Sequence, residues 1–199
     1  MSSERSPDKI RIVAIIGSVR PDNFTGKALN LVVKEFDNQE DVSVEVIDPA
    51  KLDLRLTGLG DTDDARRLRE SVSAATGIVL STPEYHGGFS SVLKLLIENL
   101  GFPSEMAGKP VALIGVAAGA IGAIKSLEQL RSVCSHVGAI VLPGPVSVAG
   151  VQRVFDDEGN CVDASTEKRI RGVATNLMDY IRGSVCPRVA LEQTARGTE

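Results

Sequence analysis

Tryptophan is absent, histidine occurs only at positions 86 and 136, and aromatic residues make up just 4% of the 199 positions. Two histidines cannot assemble a histidine-rich metal centre, and the three cysteines, Cys134, Cys161 and Cys186, stand in no metal-ligand spacing. We therefore expect no metal site. The odd, scattered cysteines read as incidental or buried thiols in a reducing cytoplasm rather than as a disulfide framework. No apolar run reaches the roughly 18–20 residues of a membrane span. The polar start, residues 1–8, has no apolar signal core, so a cytoplasmic rather than exported chain is expected. Positive charge is not in excess either. A net charge of −4 argues against nucleic acid as a partner, because phosphate backbones need a basic face.

What the chain does have is apolar residues, at 43%, alternating between two periodicities. The run 9–16 is apolar and β-branched and stops at Gly17, as a buried parallel strand should. From Thr25, the residues Ala28, Leu29, Val32, Val33 and Phe36 fall on one helical stripe. A second strand is predicted over 42–47. Asp61-Thr62-Asp63-Asp64 then opens a helix carrying Leu68, Val72 and Ala75. The third strand is predicted over 77–81, with its break at Pro83 and a helix from Val92. A fourth strand at 110–116 precedes a helix with Ala123, Leu127, Leu130 and Cys134. A fifth is predicted at 139–142, ended by Pro143-Gly144-Pro145. Residues 154–162 read as a small surface hairpin with a glycine turn. The last helix carries the stripe Ile170, Val173, Ala174, Leu177, Met178 and Ile181.

Five strand–helix units predict one doubly wound α/β domain over residues 1–183, with helices on both faces of a parallel sheet. Periodicity fades after Gly183. Residues 184–199 are expected to be a mobile tail, or an arm that orders against a partner subunit.

Three loops at the carboxyl ends of strands carry the chemistry. Gly17-Ser18-Val19-Arg20-Pro21-Asp22-Asn23-Phe24-Thr25-Gly26 leads into a helix, whose free N–H groups and dipole suit a phosphate. Ser18, Asn23 and Thr25 offer side-chain donors and Arg20 a permanent charge. The same three small residues are equally at home as turn and cap residues. Neither a P-loop nor a dinucleotide fingerprint is present. In Thr82-Pro83-Glu84-Tyr85-His86-Gly87-Gly88, a proline turn and two glycines let backbone approach a flat ligand. His86 reads either as a ligand contact or as a loop histidine bonded to backbone. The third loop, from Gly115 to Ala123, is built of small residues, whose glycines serve either a ligand or tight packing. With strand order 2-1-3-4-5, all three loops share one rim, and strands one and three flank the crevice where such sheets bind ligands.

The motifs Gly17-Ser18-Val19-Arg20, Thr82-Pro83-Glu84-Tyr85-His86-Gly87 and Gly115 through Gly122 together resemble the NADPH-dependent FMN reductase family. The resemblance runs from about Ile10 to Leu142. It implies a flavodoxin-like three-layer sandwich, FMN as cofactor and NADPH as cosubstrate. It also implies a small-molecule electron acceptor such as free flavin, a quinone, an azo compound or a metal ion. Carried over by position, it places Ser18, Arg20, Asn23 and Thr25 around the FMN phosphate. Pro83, Glu84, Tyr85, His86 and Gly87 fall along the isoalloxazine ring, with Ala117, Gly119 and Gly122 in the third loop. Many members have Ser and Asn where this chain has Asn23 and Thr25, and a hydroxyl near Ala117, where this chain offers only backbone. Arg20, Lys125 and Arg131 are candidate donors to the NADPH 2′-phosphate. No separate catalytic acid or base is implied, since the flavin carries the chemistry. Relatives of this kind form dimers or tetramers. An FMN electron carrier of the flavodoxin kind, and a flavin-binding sensor, remain alternative readings.

Overall fold

A computed structural model describes residues 9–196, so the polar start 1–8 and the last three positions of the expected tail lie outside the described residues. The core strand β1 (Ile10–Ile16) alternates strictly. Ile10, Ile12 and Ala14 point into one core, and Val13 and Ile15 into the other. Burial on both faces is why its sequence reads as a continuous apolar run. Two more strands repeat the pattern: β3 (Gly77–Tyr85) and β5 (Pro110–Val116), the latter buried at every position. With β2 (Val42–Ile47) on the edge, neighbouring strands pair in parallel, Ile12 lying opposite both Val44 and Gly77. The first core is closed by α1 (Phe24–Phe36) and α5 (Ala164–Tyr180), and α1 contributes Ala28, Leu29, Val32 and Phe36. The stripe predicted for the last helix, Ile170 through Ile181, is buried whole. The second core is closed by α2 (Asp63–Ala74), α3 (Ser91–Glu98) and α4 (Ile124–His136). Each fully buried Leu or Ile in these layers contributes about 1.5–3 kcal/mol. Thr62, as expected of the acidic opening, caps α2 by accepting from Ala65 N at 3.0 Å.

The sheet order is the expected one, but three details differ from the sequence reading. First, β3 does not end at Ser81. It continues through Pro83 to Tyr85 and turns back into β4 (Gly88–Phe89). Pro83 is tolerated because β1 has already ended, its last pair being Ile16 with Ser81. Second, the fifth strand is split into β6 (Ile140–Val141) and β7 (Val146–Val148), both paired with β5. The sheet therefore has seven strands rather than five, in the order β2-β1-β3-β5-β6, with β7 also on β5. Pro143 and Pro145 lack the N–H for a ladder, and Gly144 sits at a φ of 78°, so the pairing lapses between them. Third, the segment after Gly183, where periodicity fades, is helical. A π-helical segment (Ile181–Val185) joins α5 to α6 (Cys186–Arg196), which buries no residue. Good helix formers such as Ala190, Leu191, Glu192 and Gln193 build it, and without a buried stripe its period could not be read. The small hairpin is present as a single antiparallel bridge between Phe155 and Cys161. Among the described residues no helix is long and apolar enough to cross a membrane.

Candidate functional site

The carboxyl ends of β1, β3 and β5 open onto one cleft of about 370 Å³, within the range of small-molecule sites. Ser18, Arg20, Asn23 and Thr25 line it from the first loop, Pro83, Glu84 and Tyr85 from the second, and Ala117 from the third. The three separate turns converge as the topology requires.

The first loop is held tightly against β3. A Cβ on Gly17 would stand 2.2 Å from the carbonyl oxygen of Ser81, so only glycine fits there. The Ser81 hydroxyl donates to Thr25 O at 3.0 Å, and the Ser90 hydroxyl donates to Gly17 O at 2.6 Å. Thr82 Oγ1 accepts from Ser90 N at 3.2 Å. All four hydroxyl residues, Thr25, Ser81, Thr82 and Ser90, are buried. Sequence reasoning missed Ser81 and Ser90, and gave Thr82 no role beyond opening its loop. Their signal was present: polar residues interrupting an apolar strand, and a serine immediately before a helical stripe.

Asn23 plays the capping part. Its Oδ1 accepts from Gly26 N at 2.7 Å, and its Nδ2 donates to Arg20 O at 2.7 Å. The N–H groups of Phe24 and Thr25 are thereby left for a ligand at the α1 start. Arg20 N donates to Ser18 Oγ at 3.3 Å, which leaves the Ser18 proton free to donate outward. The Arg20 side chain is exposed.

The second loop forms a tight hairpin. His86 and Gly87 take φ values of 51° and 74°, as a two-residue turn between antiparallel strands requires. This puts His86 and Gly87 at the tip, off the cleft wall. Glu84 does more than line the cleft. The α4 start has Ala123 at its cap position with no side-chain bond, and Glu84 Oε2 accepts from Ser126 N at 3.1 Å in its place. Gln129 Nε2 donates to Gly87 O at 3.1 Å, so α4 grips the hairpin twice.

In the third loop, Gly119 and Gly122 lie off the wall as well. Gly122, at a φ of 80°, packs so closely on β7 that a Cβ would meet Ser147 Oγ at 2.4 Å. Gly119 O accepts from Gly150 N at 3.1 Å. That bond, with Val151 N to Ala117 O at 3.1 Å, brings Val151 and Gln152 onto the cleft. The sequence offered no periodic signal for this wall, since Gly150 turns in the left-handed region directly before it. Pro21, Asp22, Phe24, Val116 and Ala118 complete the lining.

These residues fit a flavin mononucleotide. The first loop supplies hydroxyls, a guanidinium and a helix start for an anion. The second and third loops supply residues 83–85 and 116–118, mostly apolar apart from Glu84, as a wall for a flat ring. Fold and cleft together define a flavin-binding protein of the doubly wound, flavodoxin-like class.

The sequence model of the NADPH-dependent FMN reductase family matches residues 10–153, and the chain belongs to that family. It is an FMN-dependent NAD(P)H oxidoreductase. An NAD(P)H-dependent FMN reductase of Pseudomonas aeruginosa is 28% identical over 88% of this chain and 97% of its own length. A 2-hydroxy-1,4-benzoquinone reductase from a Burkholderia species is 27% identical over 87% of this chain and 97% of its own length. A solved flavoenzyme from Paracoccus denitrificans, an NAD(P)H:(acceptor) oxidoreductase, shares the fold. Its TM-score is 0.73 at 22% identity, over 87% of this chain and 97% of that one.

Proposed function

We propose that this enzyme draws hydride from NADPH and passes the electrons to a quinone, an azo compound or another small planar acceptor at the same cleft. The observation that carries the reading is the convergence of three loops on one cleft, with Ser18, Arg20 and Thr25 from the first and Pro83, Glu84, Tyr85 and Ala117 from the other two. Ser18, Arg20 and Thr25, with the N–H groups of Phe24 and Thr25, hold the FMN phosphate, while Asn23 shapes the loop as its cap. Pro83, Glu84, Tyr85 and Ala117 line the ring. FMN supplies hydride acceptance and release at its N5. The chain's own groups bind it, orient it and stabilise negative charge on it through backbone N–H groups. His86 and Gly87 shape the ring-side hairpin, and Gly119 and Gly122 the third loop, and they act on the cofactor through backbone.

The acceptor enters past an apolar rim, where Tyr85, Ile121 and Ile124 are exposed. Exposed Leu56, Leu59 and Phe102 lie on neighbouring loops, linked where Asn99 Nδ2 donates to Arg55 O at 3.0 Å. A second copy covers them in a cytoplasmic homodimer or homotetramer. Residues up to 183 act as one domain, and no nucleic acid or membrane takes part.

Anaerobic mixing with FMN and NADPH tests the reading. Flavin bleaching well above the rate of free FMN is expected. Bleaching no faster than free FMN makes the protein an electron carrier or sensor instead.

A further inference from the structure

Asp22 is an acidic residue in the middle of the loop assigned to the phosphate. It lines the cleft with Ser18, Arg20 and Thr25, and its side chain is 78% exposed. Its φ of 47° is a conformation that Asp adopts more readily than most residues, so the turn holds it in place. A carboxylate there opposes a dianionic ligand, since like charges within a Debye length repel.

Lys27 answers it. Its Nζ lies 3.2 Å from each carboxylate oxygen of Asp22. The Lys27 side chain is only 14% exposed, although lysine is ordinarily among the most exposed residues. It is walled in on two sides. Its Nζ stands 5.3 Å from the centre of the Phe24 ring. The turn at Gly159 packs on its stem, so that a Cβ on Gly159 would come within 3.6 Å of Lys27 Cε. Lys27 does not itself line the cleft; it sits behind it, in a hollow shared with Asp22 and Asn23. An ordinary exposed ion pair contributes little. This one has a sheltered cation with a fixed aim.

We propose that Lys27 is a positioning residue for the cofactor: it holds and neutralises the Asp22 carboxylate, so that Arg20 and the α1 start present a net positive field to the FMN phosphate. The inference rests on the placement of the phosphate in the first loop given above. Phosphate affinity then depends on a pair of residues of which only one lines the cleft. Two observations that otherwise have no common reason follow from it: an acidic residue among anion donors, and a lysine largely sheltered behind them.

The test compares FMN with riboflavin, which lacks the phosphate, by quenching of flavin fluorescence on titration into the flavin-free full-length chain. Lys27→Met keeps the apolar stem and removes the charge. It is expected to weaken FMN about tenfold and to leave riboflavin affinity unchanged. Asp22→Asn in the Lys27→Met background restores FMN affinity. Asp22→Asn alone, which leaves Lys27 in place, tightens FMN severalfold and serves where Lys27→Met folds poorly. Equal weakening of FMN and riboflavin, no restoration in the double variant, or weaker FMN binding by Asp22→Asn alone would each overturn the proposal. Arg20→Ala separates the two levels. If it too leaves FMN affinity unchanged, the phosphate lies elsewhere and the site assignment fails. If Arg20→Ala weakens FMN and Lys27→Met does not, only the role of Lys27 fails.

Discussion

The hydroxyl of Ser90 donates to the carbonyl oxygen of Gly17 at 2.6 Å across a sequence separation of 73 residues. The Ser90 hydroxyl oxygen also caps α3, accepting from Leu93 N at 3.1 Å. One buried side chain therefore fixes both the start of a helix and the end of the strand that feeds the first loop. Ser90→Ala is expected to lower stability by about 1–2 kcal/mol through the lost cap, and further through the orphaned Gly17 carbonyl. Urea unfolding gives the first effect. FMN titration gives the second consequence, a weaker hold on the cofactor. Unaltered FMN affinity in a destabilised variant would show that the loop keeps its shape without this bond.

Arg20 gives the opposite profile. Its side chain is exposed and takes no part in the core, so Arg20→Ala should leave the melting temperature nearly where it was. FMN retention should fall by about 1.5–3 kcal/mol, the range of a charge-assisted hydrogen bond. Arg20→Lys should recover only part of it, because a point charge lacks the planar fork.

The thiols should separate cleanly on alkylation. Burial on the inner face of α4 pushes the Cys134 thiol up to about 12, which leaves almost no thiolate at neutral or mildly basic pH. Cys186 is exposed on α6. Iodoacetamide at pH 8 followed by mass spectrometry should find Cys186 modified and Cys134 intact in the native enzyme, with Cys134 reacting only after denaturation.

Acid stability should depend on Asp64. The Asp53 N–H at 2.8 Å, and next the Arg67 guanidinium, hold its carboxyl below the ordinary 3.8. A carboxyl lowered in the folded state stabilises at any pH above its unfolded value, and the contribution is lost as pH falls through the lowered folded value. The melting temperature should therefore fall below about pH 4. Asp64→Asn should be less stable at neutral pH and show a shallower acid limb, read by thermal melts from pH 7 to pH 2.5.

Much of the architecture could be read from residues alone, because burial on both faces leaves an unambiguous trace. The runs 10–16 and 110–116 are apolar at nearly every position, and the Ile170 to Ile181 stripe marks its helix. The convergence of Ser18, Tyr85 and Ala117 followed from topology, since loops after parallel neighbours share a rim. The finer assignments were less legible. Pro83 looks like a strand breaker unless one knows that β1 has already ended beside it. His86 and Gly87 form a hairpin tip, set by positive φ values that no side-chain pattern encodes. Gln152 reaches the cleft only through backbone bonds between the Gly119 and Gly150 regions. The buried hydroxyl chain of Ser81, Thr82 and Ser90 is a matter of tertiary partners, and partners 56 or 73 positions away leave no local period.

The double grip of α4 on the β3–β4 hairpin, through Glu84 to Ser126 and Gln129 to Gly87, has a bearing on traffic through the cleft. A turn pinned at its base and its tip to a rigid rod does not swing as a flap. Whatever enters the cleft on that side passes a standing wall, not a lid that must first lift.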